Sequence, residues 1–301
     1  MNLFQVWQTI FLGLLQGVSE LFPVSSLGQT VIIPSLLGWN KVVSNTACDG
    51  QSCFLPIITA LHLGTSIALF IYFWSDWIKV IRTLLFTVKT RKIERGTEGW
   101  TSWLIIVGTI PTGLIGLALE SKLKELFSSP LLTAAFLVVN GSVLLLGEAL
   151  RRRAEAKFSM LPPSEREKHF RPLHSLNIKE ALFVGVTQSL SLIPGFSRSG
   201  ATMVGGLSVR MTHEDAARFS FLLGAPIILA ASLKEVPELF HQNLFPLWLV
   251  FLGMIISGVA AFLSTKFMMK YFETGRLTPF AYACWTEGIL AVILFMTIRP
   301  V

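Results

Sequence analysis

Charge is scarce in this chain. Only 14% of its 301 residues are charged, against about 25% in an ordinary soluble protein. With 52% hydrophobic residues and a mean hydropathy of +0.62, the shortage excludes a soluble globular domain and indicates an integral membrane protein. A basic start is also missing: the first apolar stretch carries Gln5, Gln8, Gln16 and Glu20 and runs straight into a polar motif, so no cleavable signal is expected. The net charge of +7 is not gathered into one basic patch. It falls in alternate inter-span segments, which speaks against a nucleic-acid partner and for membrane orientation. Cysteine is limited to Cys48, Cys53 and Cys284.

What is present is a series of runs approaching the ~20 apolar residues that cross a bilayer as helix. Six are readable: Phe54–Trp74, Trp103–Leu119, Leu131–Leu146, Phe219–Leu233, Leu247–Leu263 and Ala281–Ile298. Lys79, Arg82, Lys89, Arg91, Lys92 and Arg95 lie between the first two, and a basic linker over residues 150–179 follows the third. The intervening loops hold few cations. The positive-inside rule places the basic segments in the cytoplasm and both termini outside.

That topology leaves residues 2–37 and 180–209, each apolar but interrupted in the middle, and each obliged to return to the side it entered from. Both are expected to be re-entrant helical hairpins, tolerated at membrane depth where they pack in protein or line a wet cavity. Gly13, Gln16 and Gly28 in the first match Gly185, Gln188 and Gly200 in the second, and Pro23 and Pro194 fall one residue out of step. Three spans follow each hairpin, so halves 1–149 and 180–301 of this single membrane domain (1–301) should run in opposite senses, as inverted repeats whose site lies where the broken helices meet. The fold class is thus an all-α integral membrane protein with six transmembrane helices plus two re-entrant hairpins.

The interruptions carry the chemistry, because polar and ionisable groups at membrane depth are costly and functional by default. In Pro194-Gly195-Phe196-Ser197-Arg198-Ser199-Gly200-Ala201-Thr202, proline and glycine end one helix and hydroxyl-rich sequence begins another. Amides at a helix start and the guanidinium fork of Arg198 suit phosphate oxygens, with Ser197, Ser199 and Thr202 as further donors. In the first interruption Glu20 follows Gln16 by one turn. It could hold a hard divalent cation, move a proton, or serve only as the partner of Arg198. Ser25 and Ser26 lie beyond Pro23, where one could be a nucleophile and either could be a helix cap.

These motifs, (E/Q)xxxE followed by PxSS and then PGxSRSxxT, closely resemble those of the BacA/UppP bacitracin-resistance family of undecaprenyl pyrophosphate phosphatases. The resemblance extends over essentially the whole chain and includes Ile110 to Gly116, Val139-Asn140-Gly141 and Ala217 to Leu223. It implies hydrolysis of a polyprenyl diphosphate lipid on the outer face of a bacterial plasma membrane, dependent on a divalent cation, Mg2+ or Ca2+. It also implies Glu20, Ser26 and Arg198 as catalytic residues, Glu20 as metal ligand, and Gln16, Ser25, Ser197, Ser199 and Thr202 around the substrate. Homo-oligomers are possible.

The family often has histidine at the position of Gln29, and an amide does no acid-base work. His62, the only histidine expected within a span, is a candidate to face the site in its place. Cys284 stands where relatives often carry arginine. Cys48 and Cys53 flank Asp49-Gly50-Gln51-Ser52 in an expected external loop, where a disulfide is permitted. The rival reading is a carrier for polyprenyl phosphate, since broken helices in inverted repeats also build transporters. The carboxylate, serine pair and arginine together favour the enzyme.

Overall fold

The computed structural model describes residues 3–39, 54–126, 129–162, 165, 169–240 and 246–297. Cys48 and Cys53 lie outside the described residues. Those described fold into α1 (Leu3–Ser19), α2 (Ser26–Leu36), α3 (Phe54–Tyr72), α4 (Trp74–Thr90), α5 (Glu98–Leu126), α6 (Pro130–Ala156), α7 (Ile178–Gln188), α8 (Arg198–Ser208), α9 (His213–Leu239), α10 (Leu247–Tyr271) and α11 (Thr278–Thr297). Among the described residues five stretches, Glu98–Leu119, Pro130–Ala156, His213–Glu235, Leu247–Tyr271 and Thr278–Thr297, are long and apolar enough to cross a membrane. The sixth candidate is α3 together with α4, bent by 79° at their junction.

Each expected span coincides with one of these helices, but the basic segment after the first is not a loop. It is the helix α4. Its apolar residues recur at helical spacing, which a reading keyed to charge alone passes over. Arg218 contacts both sides of the bend, pairing with Asp76 and lying 5.9 Å from the Phe73 ring.

Each segment expected to be a hairpin contains two helices separated by a polar turn. Residues 20–25 separate α1 from α2; a 3-10 turn, Ser189–Leu192, and Ile193 to Ser197 separate α7 from α8. Both second helices begin on a serine cap: Gly28 N–H donates to Ser25 Oγ, and Gly200 N–H to Ser197 Oγ, each at 3.1 Å. The caps satisfy amides that a helix start leaves without partners. In the second turn Gly195 has φ +93°, where glycine is favoured. A Cβ there would also collide with the Thr133 carbonyl.

α1 packs along α10 and α7 along α5. The matched glycines lie in those two seams: a Cβ on Gly13 would stand 2.9 Å from the Gly253 carbonyl oxygen, and one on Gly185 would collide with that of Gly108. The tips touch each other as well, with a Cβ on Gly200 reaching Pro23 at 3.1 Å. Around them Leu21, Leu137, Phe219 and Phe221 are wholly buried. Large apolar side chains such as Leu114, Phe251, Ile255 and Ile293 remain exposed, an arrangement suited to lipid rather than water.

Candidate active site

The two polar interruptions bring Glu20 and Arg198 together. Arg198 donates from Nε and Nη2 to Glu20 Oε1 at 3.3 and 3.1 Å, and from Nη1 to the Ser220 carbonyl at 3.0 Å. Both side chains are buried, so each charge depends on the other for compensation. The second oxygen of Glu20 accepts a hydrogen bond from Ser26 Oγ and one from Gln16 Nε2 at 3.0 Å. Glu20 therefore does more than neutralise the arginine.

His62 does face the site. Its Nε2 lies 3.3 Å from Glu20 Oε2, and its Nδ1 lies 2.8 Å from the Ile58 carbonyl. A carbonyl only accepts, so Nδ1 carries a hydrogen.

Glu20, Ser26, His62, Ser197 and Arg198 form the polar floor of a cavity of about 420 Å³. Its walls are mostly apolar, with Leu27, Ile58, Leu117, Leu192 and Ile227, and Lys234 and Glu235 lie along the same cavity. A charged floor under apolar walls suits a ligand with an anionic head and a hydrocarbon body.

Other expected residues hold the floor rather than line it. Ser25 is the cap of α2 at φ +64°, leaving Ser26 to reach Glu20. Ser199 Oγ donates to the Phe22 carbonyl at 3.2 Å, binding the second tip to the first. Thr202 Oγ1 donates to the Arg198 carbonyl at 2.7 Å and to Gln188 at 3.4 Å, inside its own hairpin. Gln29 donates to Glu287 on α11 at 2.5 Å, away from the cavity. Gln16 lies behind Glu20, fully buried.

Two residues outside the motifs complete the construction. Asn140 on α6 joins both tips: its Nδ2 donates to the Pro23 carbonyl and to Cys284 Sγ, both at 3.3 Å, and its Oδ1 accepts from Ser197 N–H at 3.1 Å. An amide inside an apolar span was the available signal. Gly224 on α9 makes room for the guanidinium, since a Cβ there would collide with Arg198 Nη1. No sequence signal marks that glycine among the others.

Residues 9–290 match the family model described as bacitracin resistance protein BacA. An undecaprenyl-diphosphatase 1 of Burkholderia pseudomallei is 42% identical over 97% of both chains. An undecaprenyl-diphosphatase 2 of Frankia alni is 41% identical over 94% of this chain and 96% of its own, and an undecaprenyl-diphosphatase of Mycolicibacterium paratuberculosis is 42% identical over 93% and 94%.

Proposed function

The chain belongs to the bacitracin resistance protein BacA family, and from that premise we infer how the Glu20 cluster acts. The reaction is hydrolysis of undecaprenyl diphosphate to undecaprenyl phosphate and phosphate. The observation that carries the site assignment is Glu20, which holds Ser26, His62 and Arg198 on the floor of one cavity.

In this reading Arg198 neutralises the diphosphate while the prenyl chain follows the apolar walls. Glu20 accepts the hydrogen of Ser26 as its Oγ attacks the terminal phosphorus, with His62 beside the same carboxylate oxygen. The bond from that phosphorus to the bridging oxygen breaks, and undecaprenyl phosphate leaves. Water then displaces Ser26 from phosphorus, releasing phosphate, and Glu20 returns the proton to Oγ. Fixed positive charge at the developing phosphoryl charge supplies much of the acceleration.

A divalent cation fits beside this carboxylate. Gln16 Oε1 is buried without a hydrogen-bond partner one turn before Glu20. No group of three His, Cys, Asp or Glu suited to a metal occurs among the described residues. Glu20 would therefore hold Mg2+ or Ca2+ with phosphate and water oxygens, Gln16 would steady that carboxylate from behind through its hydrogen bond to Oε2, and the ion would supply added charge neutralisation. Chelation is expected to abolish phosphate release. Gln16→Leu should raise the Mg2+ concentration for half-maximal release by about 10-fold, the usual lower cost of weakening a metal site. An unchanged titration would remove Gln16 from the cation.

The interrupted helix pairs are read as re-entrant hairpins of an inverted repeat. By the distribution of basic residues, the Lys234 end of the cavity faces outside the plasma membrane.

The site assignment is tested by Gly224→Ala. The colliding atoms belong to the Arg198 guanidinium, so its displacement loosens the buried pair with Glu20 and lowers the unfolding temperature, and activity is compared where the variant is still folded. Phosphate release from undecaprenyl diphosphate should fall by about 100-fold, as for loss of one preorganised donor. Full activity in a folded variant would place the chemistry elsewhere.

A further inference from the structure

The bent helix α4 has no part in the cluster at the tips, and its surface is divided by chemistry. Val80 and Thr87 are buried on its inner side, where Thr87 Oγ1 accepts from Trp103 Nε1 at 3.0 Å and Thr83 Oγ meets Ser102 Oγ at 2.8 Å. At about 100° per residue, Trp74, Ile78, Ile81, Leu85 and Val88 share an arc of about 80° on another side. That stripe is open: Ile81, Leu85 and Val88 are 57%, 68% and 65% exposed.

The cations are placed with respect to the stripe. Arg82 and Lys89 fall along its edge remote from the buried side, within about 40° of it. Arg91, Lys92 and Arg95 follow at the C-terminal end, where Arg91 closes the helix at φ +54° with its N–H on the Thr87 carbonyl at 2.8 Å. Of the acids nearby, Asp76 pairs with Arg218 and Glu98 with Lys79 at 2.9 Å, and Glu94 remains beside the basic turn. Lys79 is thus engaged with protein, while Arg82, Lys89 and Lys92 are exposed.

A helix bent by 79° from its span, with an apolar stripe on one side and cations on the adjoining edge, has the construction of an interfacial helix. The stripe enters the acyl region and the cations stand at headgroup level. We propose that α4 and the basic turn after it form a binding surface for anionic phospholipids of the leaflet they face. The complementary charge selects the occupant: a zwitterionic lipid satisfies the stripe but not the cations, and a second copy of this surface would bring like charges together. This surface is separate from the diphosphate cavity and does not depend on the catalytic reading.

The test uses the whole protein in nanodiscs containing equal mole fractions of photo-crosslinkable phosphatidylglycerol or phosphatidylcholine, with adducts mapped by peptide mass spectrometry. In the native sequence, phosphatidylglycerol adducts within residues 74–95 should exceed phosphatidylcholine adducts by about fivefold, the effect of about one basic residue at an anionic surface. The triple variant Arg82→Gln, Lys89→Gln and Lys92→Gln should bring the ratio close to one. The native ratio decides the matter even where the variant folds poorly. Equal labelling by the two lipids, phosphatidylglycerol adducts only outside 74–95, protein-to-protein crosslinks through α4 in place of lipid adducts, or an unchanged ratio in the folded variant would each overturn the proposal.

Discussion

Glu20→Gln is expected to lower kcat for phosphate release by about 10³-fold, within the range for loss of a general base. Glutamine preserves shape and one acceptor oxygen, but it takes no proton from Ser26. Its amide hydrogens also meet the donors Arg198, Ser26 and Gln16, which contact the native carboxylate. Because Arg198 then lacks its countercharge, the fold should lose about 3 kcal/mol, the lower cost of breaking a buried pair. KM for the lipid should change far less than kcat, since the apolar walls are untouched. Initial rates over a range of lipid concentration, with the unfolding temperature, check both. A variant that keeps its native kcat would show that Glu20 is only the countercharge of Arg198.

Much of this arrangement was legible because polarity in an oily chain is conspicuous. Glu20, Arg198 and the hydroxyls around Pro23 and Pro194 could be picked out, and so could the matched glycines that now lie in the helix seams and at the tips. Direction was less legible. Ser25 and Ser26 are chemically identical, and the positive φ of Ser25 decides that one caps α2 while the other reaches the carboxylate. Ser199 and Thr202 resemble phosphate donors in sequence but spend their hydroxyls on the Phe22 and Arg198 carbonyls. Gln29 finds its partner 258 positions away, on a helix whose register no local pattern fixes. His62 was reachable by elimination, as the one histidine within an expected span. α4 was missed because its cations drew the reading toward a loop, although its apolar stripe has helical period.

Ser26→Ala should be at least as damaging as the change at Glu20. The hydroxyl donates to Glu20 Oε2 at the cavity floor, so its removal takes away the attacking atom and leaves base, arginine and walls in place. Removing a nucleophile while leaving the charge stabilisation leaves a residual rate over water, so the expected fall is about 10⁴-fold or more. Substrate binding should persist, because Arg198 keeps its hold on Glu20 and the Ser220 carbonyl. The loss is read as kcat for phosphate release, with lipid affinity measured separately on the same preparation.

The most direct measurement is an acid quench during turnover of undecaprenyl diphosphate labelled on its terminal phosphorus, followed by peptide mapping of any label retained by the protein. The account predicts transient label on the peptide carrying Ser26, appearing before phosphate is released and absent from Ser26→Ala. Phosphate released at the native rate by Ser26→Ala, with no label on either protein, would contradict it and assign the attack to water.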